Sequence, residues 1–192
     1  MNISTLFVTM KPKSMIPFLL CAALLFSCQK PADLIVTQEP ARTMHIDHAD
    51  EGLARIAEDA RNTLPGFFWH LARARAGEKS FCVKYPLPAG YEGGFGTAGG
   101  VGAAEGIVME QVWLTGIYFK DGLYYGLLAD APMHLGGLQK GDRVVFETDD
   151  VTDWMYVRNG RIIGGLSVKY LLEKIPEDQR SAGEQNLLQM FE

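Results

Sequence analysis

The chain has 192 residues, with 18 lysines or arginines against 23 aspartates or glutamates and a formal charge of −5 at pH 7. An acidic balance without a basic run excludes a phosphate-driven nucleic-acid binder, which needs a cationic footprint. The length suits one domain with its own core.

The stretch Met10–Cys28, MKPKSMIPFLLCAALLFSC, carries the clearest signal. Lys11 and Lys13 precede an uncharged apolar run of 12 residues, Met15 to Phe26, the length of a signal-peptide core. A spanning helix needs about 20 apolar residues, because it rises 1.5 Å per residue through roughly 30 Å of hydrocarbon. Leu25 and Ser27 stand at −3 and −1 of a lipobox that ends in Cys28. Residues 1–27 are therefore expected to be a signal peptide, with translation starting at Met10. Cys28 is expected to become the diacylglyceryl-modified N-terminus, further acylated (palmitate), of a bacterial envelope lipoprotein facing the periplasm. Two or more acyl chains hold a protein stably at a bilayer. Gln29 is not the aspartate that retains such proteins on the inner membrane, which favours the outer one. Secretion without lipid and a retained membrane anchor are the alternatives.

Removing residues 1–27 takes away Lys11 and Lys13 and no acid, so 18 basic residues become 16 against 23 acidic ones, a charge of −7. With Cys21 lost and Cys28 acylated, only Cys82 remains, and no intrachain disulfide can form. In Phe81-Cys82-Val83-Lys84-Tyr85 this thiol reads as buried in a strand rather than as a nucleophile.

Residues 28–46 read as the lipidated cysteine and a tether that, if flexible, spans roughly 20–25 Å. Asp50 is placed to cap a helix running to about Thr63, with Leu53, Ile56, Ala57, Ala60 and Leu64 on one face. Pro65 suits the first turn of a second helix reaching Ala76, with Phe68, Leu71 and Ala72 inward. The pattern then changes to strands over 80–86, 107–119, 123–129, 143–148, 154–158 and 161–164. Lys120-Asp121-Gly122 and Asn159-Gly160 are hairpin turns. Gly126 within a strand implies a bulge or a close backbone neighbour. Ser167 is placed to cap a helix over 168–174, and 181–191 has the pattern of a short amphipathic helix.

Residues 90–106 hold eight glycines in 17 positions but no phosphate-loop signature. They read as a surface connection between strands, with a lid over a groove as the sharper alternative.

Gly141-Asp142-Arg143-Val144-Val145, then Asp153-Trp154-Met155-Tyr156, then Gly164-Gly165-Leu166-Ser167 together resemble the YegJ-like family, domain of unknown function 2314. Phe81-x-Val83-Lys84, Glu110-x-x-Trp113 and the Gly126…Pro132 pair agree with it, so the resemblance covers about residues 79–174. The glycine run, Gln111 and Leu166-Ser167 depart from the pattern. The resemblance implies a fold and membership among secreted proteins and lipoproteins, and no established activity.

Chemistry is sparse. Asp149, Asp150 and Asp153 are the one acidic cluster, without the glycine and glutamate of a calcium loop. They read as turn residues bonding nearby amides, with Asp153 locking the strand entry and Trp154 filling the core. Glu110 and Trp113, three apart on a strand, face opposite sides, so a core-facing Trp113 leaves Glu110 towards solvent or a groove. A carboxylate pair of Glu110 and Asp153 is the one catalytic candidate. His45, Asp47, His48 and Asp50 lie together but lack a third ligand at zinc-site spacing. His70 and His134 stand apart. Gly164 and Gly165 read as close packing against Trp154 or Trp113. No metal or cofactor is implied.

These observations predict an α+β domain over 47–176, with two N-terminal helices on a twisted, largely antiparallel sheet of five or six strands. A short C-terminal helix and a tail over 177–192 complete it. The expected function is a non-catalytic binding or interaction module, held to the membrane by lipid and meeting an envelope partner through a groove at Glu110, Trp113, Asp153, Trp154, Gly164 and Gly165. The alternatives are an envelope hydrolase using Glu110 and Asp153, and an immunity-type inhibitor of a secreted toxin.

Overall fold

Continuous runs of buried residues put side chains on both faces of the central strands into the interior, so the sheet is covered twice. The computed structural model describes residues 8–10, 50–88, 91, 109–133, 135 and 137–192. Its elements are β1 (Val8–Met10), α1 (Glu51–Ala72), β2 (Glu78–Pro88), β3 (Met109–Lys120), β4 (Leu123–Leu128), β5 (Arg143–Phe146), β6 (Asp153–Arg158), β7 (Arg161–Gly164), α2 (Leu166–Glu173) and α3 (Ala182–Met190). The strands pair antiparallel in the order β5-β4-β3-β2-β6-β7, and β1 runs beside the first residues of β3. The domain is α+β, and the six strands beyond β1 fall where the alternation places them.

Both predicted tight turns form. Asp121 and Gly122 have φ of 52° and 82°, and Asn159 and Gly160 have 51° and 82°, the paired positive values of a turn matched to strand twist. Gly126 marks a close neighbour, since a Cβ there would lie 2.8 Å from that of Leu114. The bulge falls elsewhere, between Thr115 and Tyr118, at Gly116.

The helices correct the prediction. One helix, not two, precedes the sheet, and Pro65 lies inside it. Proline removes one N–H and crowds the carbonyl four residues back, yet Ala60, Leu64 and Phe67 keep a single apolar face in phase across it and are all buried. Burying Phe67 alone contributes about 2–3 kcal/mol, comparable to the local penalty. The side chain of Asp50 caps the N-terminus, accepting from the N–H groups of Gly52 (2.9 Å) and Leu53 (3.1 Å). The other two helices follow the sheet. A capping box of Ser181 and Glu184 starts α3, which buries Leu187, while the next residue after it, Phe191, bridges to Ile162 of β7.

Each face of the sheet has its own cluster. Phe81, Val83, Tyr85, Leu87, Val112, Leu114, Phe146 and Tyr156 pack with Leu64 and Phe67 of α1. Cys82, Trp113, Val157 and Ile162 pack with Val168, Leu171 and Leu172 of α2 and Leu187 of α3. The Cys82 thiol is buried near the Met155 carbonyl.

Candidate functional site

A buried polar constellation lies between the sheet and the start of α2. Register puts Lys84 of β2 directly opposite Trp113 on one side and Asp153 on the other, so the three side chains share a face. Lys84, Asp153 and Ser167 are all buried. The Lys84 ammonium donates to the Ser167 hydroxyl at 3.0 Å and stands 5.7 Å from the centre of the Trp113 ring. Asp153 accepts the Ser167 N–H through one oxygen and the Trp154 N–H through the other, both at 2.8 Å. Burial pushes the Lys84 amine down to about 8, against the pull of the Asp153 charge. Burial also raises Asp153, and bonds from Ser167 together with the Lys84 charge oppose that rise.

Ser167 does not cap α2. Gly165, with φ of 65°, occupies that position, and Asp153 reaches across from β6 to satisfy a first-turn N–H. Gly164 is fixed by contact, because a Cβ there would strike the Trp154 carbonyl and ring. The indole N–H of Trp154 faces the opposite way, donating to the Ala60 carbonyl (3.2 Å) and the Thr63 hydroxyl (3.0 Å) of α1. Trp154 therefore holds α1, while Asp153, one residue earlier, holds α2.

Glu110 departs from expectation. It is fully buried, not turned to solvent or a groove, and its carboxylate accepts the Met133 N–H at 2.6 Å. The connection between β4 and β5 folds over that face, with Leu135 and Leu138 joining the α1-side cluster. Since Glu110 lies opposite Leu87 and Asp153 opposite Lys84, unbroken register sends the two carboxylates to opposite faces. They cannot share a proton or a substrate. Trp113 and Asp153 do meet on one face around Lys84, and Trp154 and Glu110 belong to the other.

Sequence reading missed Lys84 as a site residue. Its parity with Cys82 was the available signal, since a thiol buried in a strand predicts burial two residues on. Asp149 and Asp150 sit in a short 3-10 turn. Among the described residues no three His, Cys, Asp or Glu side chains converge as metal ligands. His70 stacks on Tyr156 and pairs with Glu78 at 3.0 Å. Cys28, the tether, His45, His48, His134 and nearly all of the glycine run lie outside the described residues.

Residues 50–187 match the model of a family described as an uncharacterized protein conserved in bacteria, DUF2314. The chain belongs to that family. The match extends past residues 79–174 to take in α1 and most of α3. The chain is similar to a putative ankyrin repeat protein of Neisseria meningitidis serogroup B, 32% identical over 142 residues, 71% of this chain and 51% of that protein. It is also similar to the uncharacterized protein YegJ of Escherichia coli, 29% identical over 70 residues, 36% of this chain and 46% of that one. The chain spans about half the length of the curated relatives it matches. No solved structure matches. Among the described residues no helix is long and apolar enough to cross a membrane.

Proposed function

We propose that this DUF2314 protein is a non-catalytic binding or interaction module of the bacterial envelope, held at a membrane by lipid on Cys28. One observation carries the non-catalytic part. The groups best suited to acid–base or nucleophilic work, Lys84, Glu110, Asp153 and Ser167, are buried and bonded within the fold. Catalysis needs such a group within reach of substrate, and here each one ties an element to its neighbour. The Glu110–Asp153 hydrolase loses its basis, because the two carboxyl groups face opposite ways.

The lipid anchor rests on Lys11, Lys13, the apolar run and the Leu25–Cys28 lipobox. Affinity capture of the membrane-bound protein from its cells, with Cys28→Ala as control, is the test. A specific envelope partner that is lost with Cys28→Ala supports the reading. Hydrolytic turnover by the purified protein, abolished by Ser167→Ala or Asp153→Asn without unfolding, would overturn it.

A further inference from the structure

We propose that one end of the domain rests on an anionic lipid surface through Trp69, Arg73, Arg75 and Phe119. Antiparallel pairing brings the C-terminus of α1, the start of β2 and the β3–β4 and β6–β7 turns to the same end. Glu78 lies opposite Arg158, the Asn159 N–H bonds the Gly77 carbonyl at 3.0 Å, and Cys82 lies opposite Thr115, five residues before the hairpin tip at Lys120.

Basic residues far apart in sequence collect there: Arg73, Arg75, Lys79, Lys120, Arg158 and Arg161. Of the acids at this end, Glu78 is turned inward, its carboxylate bonding His70 and the Arg75 N–H, and Glu192 pairs with Arg158 at 2.6 Å. The other acid at this end among the described residues is Asp121, exposed and 3.9 Å from Lys120. Among the described residues no carboxylate lies within ion-pair distance of Arg73, Arg75 or Lys79. An acidic chain thus presents a local excess of positive charge, complementary to anionic headgroups.

The same end exposes large rings. Trp69 is 41% exposed, with the Arg73 and Arg75 guanidinium groups 5.5 and 5.3 Å from its centre. Its neighbour Phe68 stacks on Tyr124 at 4.6 Å, and Tyr124 meets Phe119, 61% exposed, at 4.8 Å. A tryptophan flanked by arginines suits the headgroup level of a bilayer, where the ring enters the boundary and the cations stay among phosphates.

The proposed anchor supplies the surface, and in that respect alone this inference rests on the lipoprotein reading. The far end of the 22-residue α1 stands about 33 Å from Asp50. The 22 residues from Cys28 to Asp50 reach up to about 75 Å when extended, so anchor and patch can touch one bilayer together. A basic patch alone gives marginal binding, and acyl chains on Cys28 would hold it beside the surface.

The test uses the protein purified as its cells produce it. Vesicles of phosphatidylcholine alone, or with phosphatidylglycerol, carry bromine-labelled acyl chains that quench tryptophan on contact. Flotation reports the anchor, and quenching reports the patch. The expected result is quenching that needs phosphatidylglycerol and disappears in Trp69→Phe, since Trp113 and Trp154 lie within the fold. In Arg73→Ala/Arg75→Ala the ratio of quenched to unquenched protein on the vesicles should fall roughly twenty-five-fold, about fivefold per arginine. Absence of quenching overturns the proposal, whether or not the protein floats. So does quenching that ignores phosphatidylglycerol, or an acidic protein captured by the same two arginines in its place. Flotation lost without acylation at Cys28 bears on the anchor alone.

Discussion

Lys84 and Tyr85 are neighbours on the central strand β2, and both are buried, yet they enter different worlds. Lys84 faces α2 and joins Asp153 and Ser167 in a charged cluster set among Trp113 and mostly aliphatic side chains. Tyr85 faces the α1 side, where Phe67, Phe81, Trp154, Tyr156, Tyr124 and Phe146 form a nearly continuous set of rings. Directional bonds locate a helix on the first face, and ring packing, joined by the Trp154 indole N–H, locates one on the second. In a sheet covered on both sides, strand parity decides what a residue meets, and polarity decides only how it must be satisfied.

The sharpest way to break the charged face is Asp153→Ala. It removes the acceptor of two N–H groups and leaves Lys84 buried without its counter-charge. A loss of about 3–5 kcal/mol is expected in urea unfolding. The double change Lys84→Met/Asp153→Leu should recover most of it, because matched apolar groups replace a buried pair at little net cost. A double mutant no more stable than Asp153→Ala would refute charge pairing as the source.

The two faces should also answer pH in opposite senses. The Lys84 amine is pushed down to about 8 from its ordinary 10.5, so between those values the unfolded chain binds more protons and stability rises with pH. Burial, helped by the Asp150 charge, pushes the Tyr85 phenol up to about 12 from 10, so above pH 10 the folded chain keeps a proton that the unfolded one loses, and stability falls. Each limb is worth up to about 3 kcal/mol. Equilibrium unfolding across pH 7–12 should lose its rising limb in Lys84→Met and part of its falling limb in Tyr85→Phe.

Much of the sheet was legible in the chain and little of this chemistry was. Six strands and both tight turns follow from period-two alternation and from Asp-Gly and Asn-Gly, because these are local signals. Pro65 misled for the same reason. The proline rule is local, whereas the apolar face running through Leu64 and Phe67 is a tertiary demand that overrides it. Alternation places Glu110 towards solvent or a groove because it does not say whether a second layer lies over a face. That layer is the β4–β5 connection, whose proline and glycines conceal the burial of Leu135 and Leu138. Ser167 looked like a cap by composition, but the acceptor came from Asp153, 14 residues away.

A smaller break comes on the aromatic face. Trp154→Phe keeps the ring and removes the indole N–H that holds the Ala60 carbonyl and the Thr63 hydroxyl. A loss of about 1–2 kcal/mol is expected, with amide exchange quickening through α1 more than through α2. Uniform quickening in both helices would mean that Trp154 supports the whole sheet rather than one layer.

The smallest effect tests where the two layers join. Asp50 caps α1, and its carboxylate also accepts from the Tyr170 hydroxyl (2.8 Å) and pairs with Lys174, both of α2 or its end. Asp50→Ala should cost about 1 kcal/mol. Burial works to raise the Asp50 pKa, but bonds from Lys174, Tyr170 and the Leu53 N–H outweigh it and hold the carboxyl at about 2. The folded chain therefore binds fewer protons than the unfolded one between pH 2 and 3.8, and this stability is complete above that window and lost as pH falls through it. Wild type and Asp50→Ala should differ at pH 5 and converge near pH 2 in urea unfolding. A gap that persists at pH 2 would assign the effect to packing of Gly52 against the Tyr170 ring instead of to the charged cap.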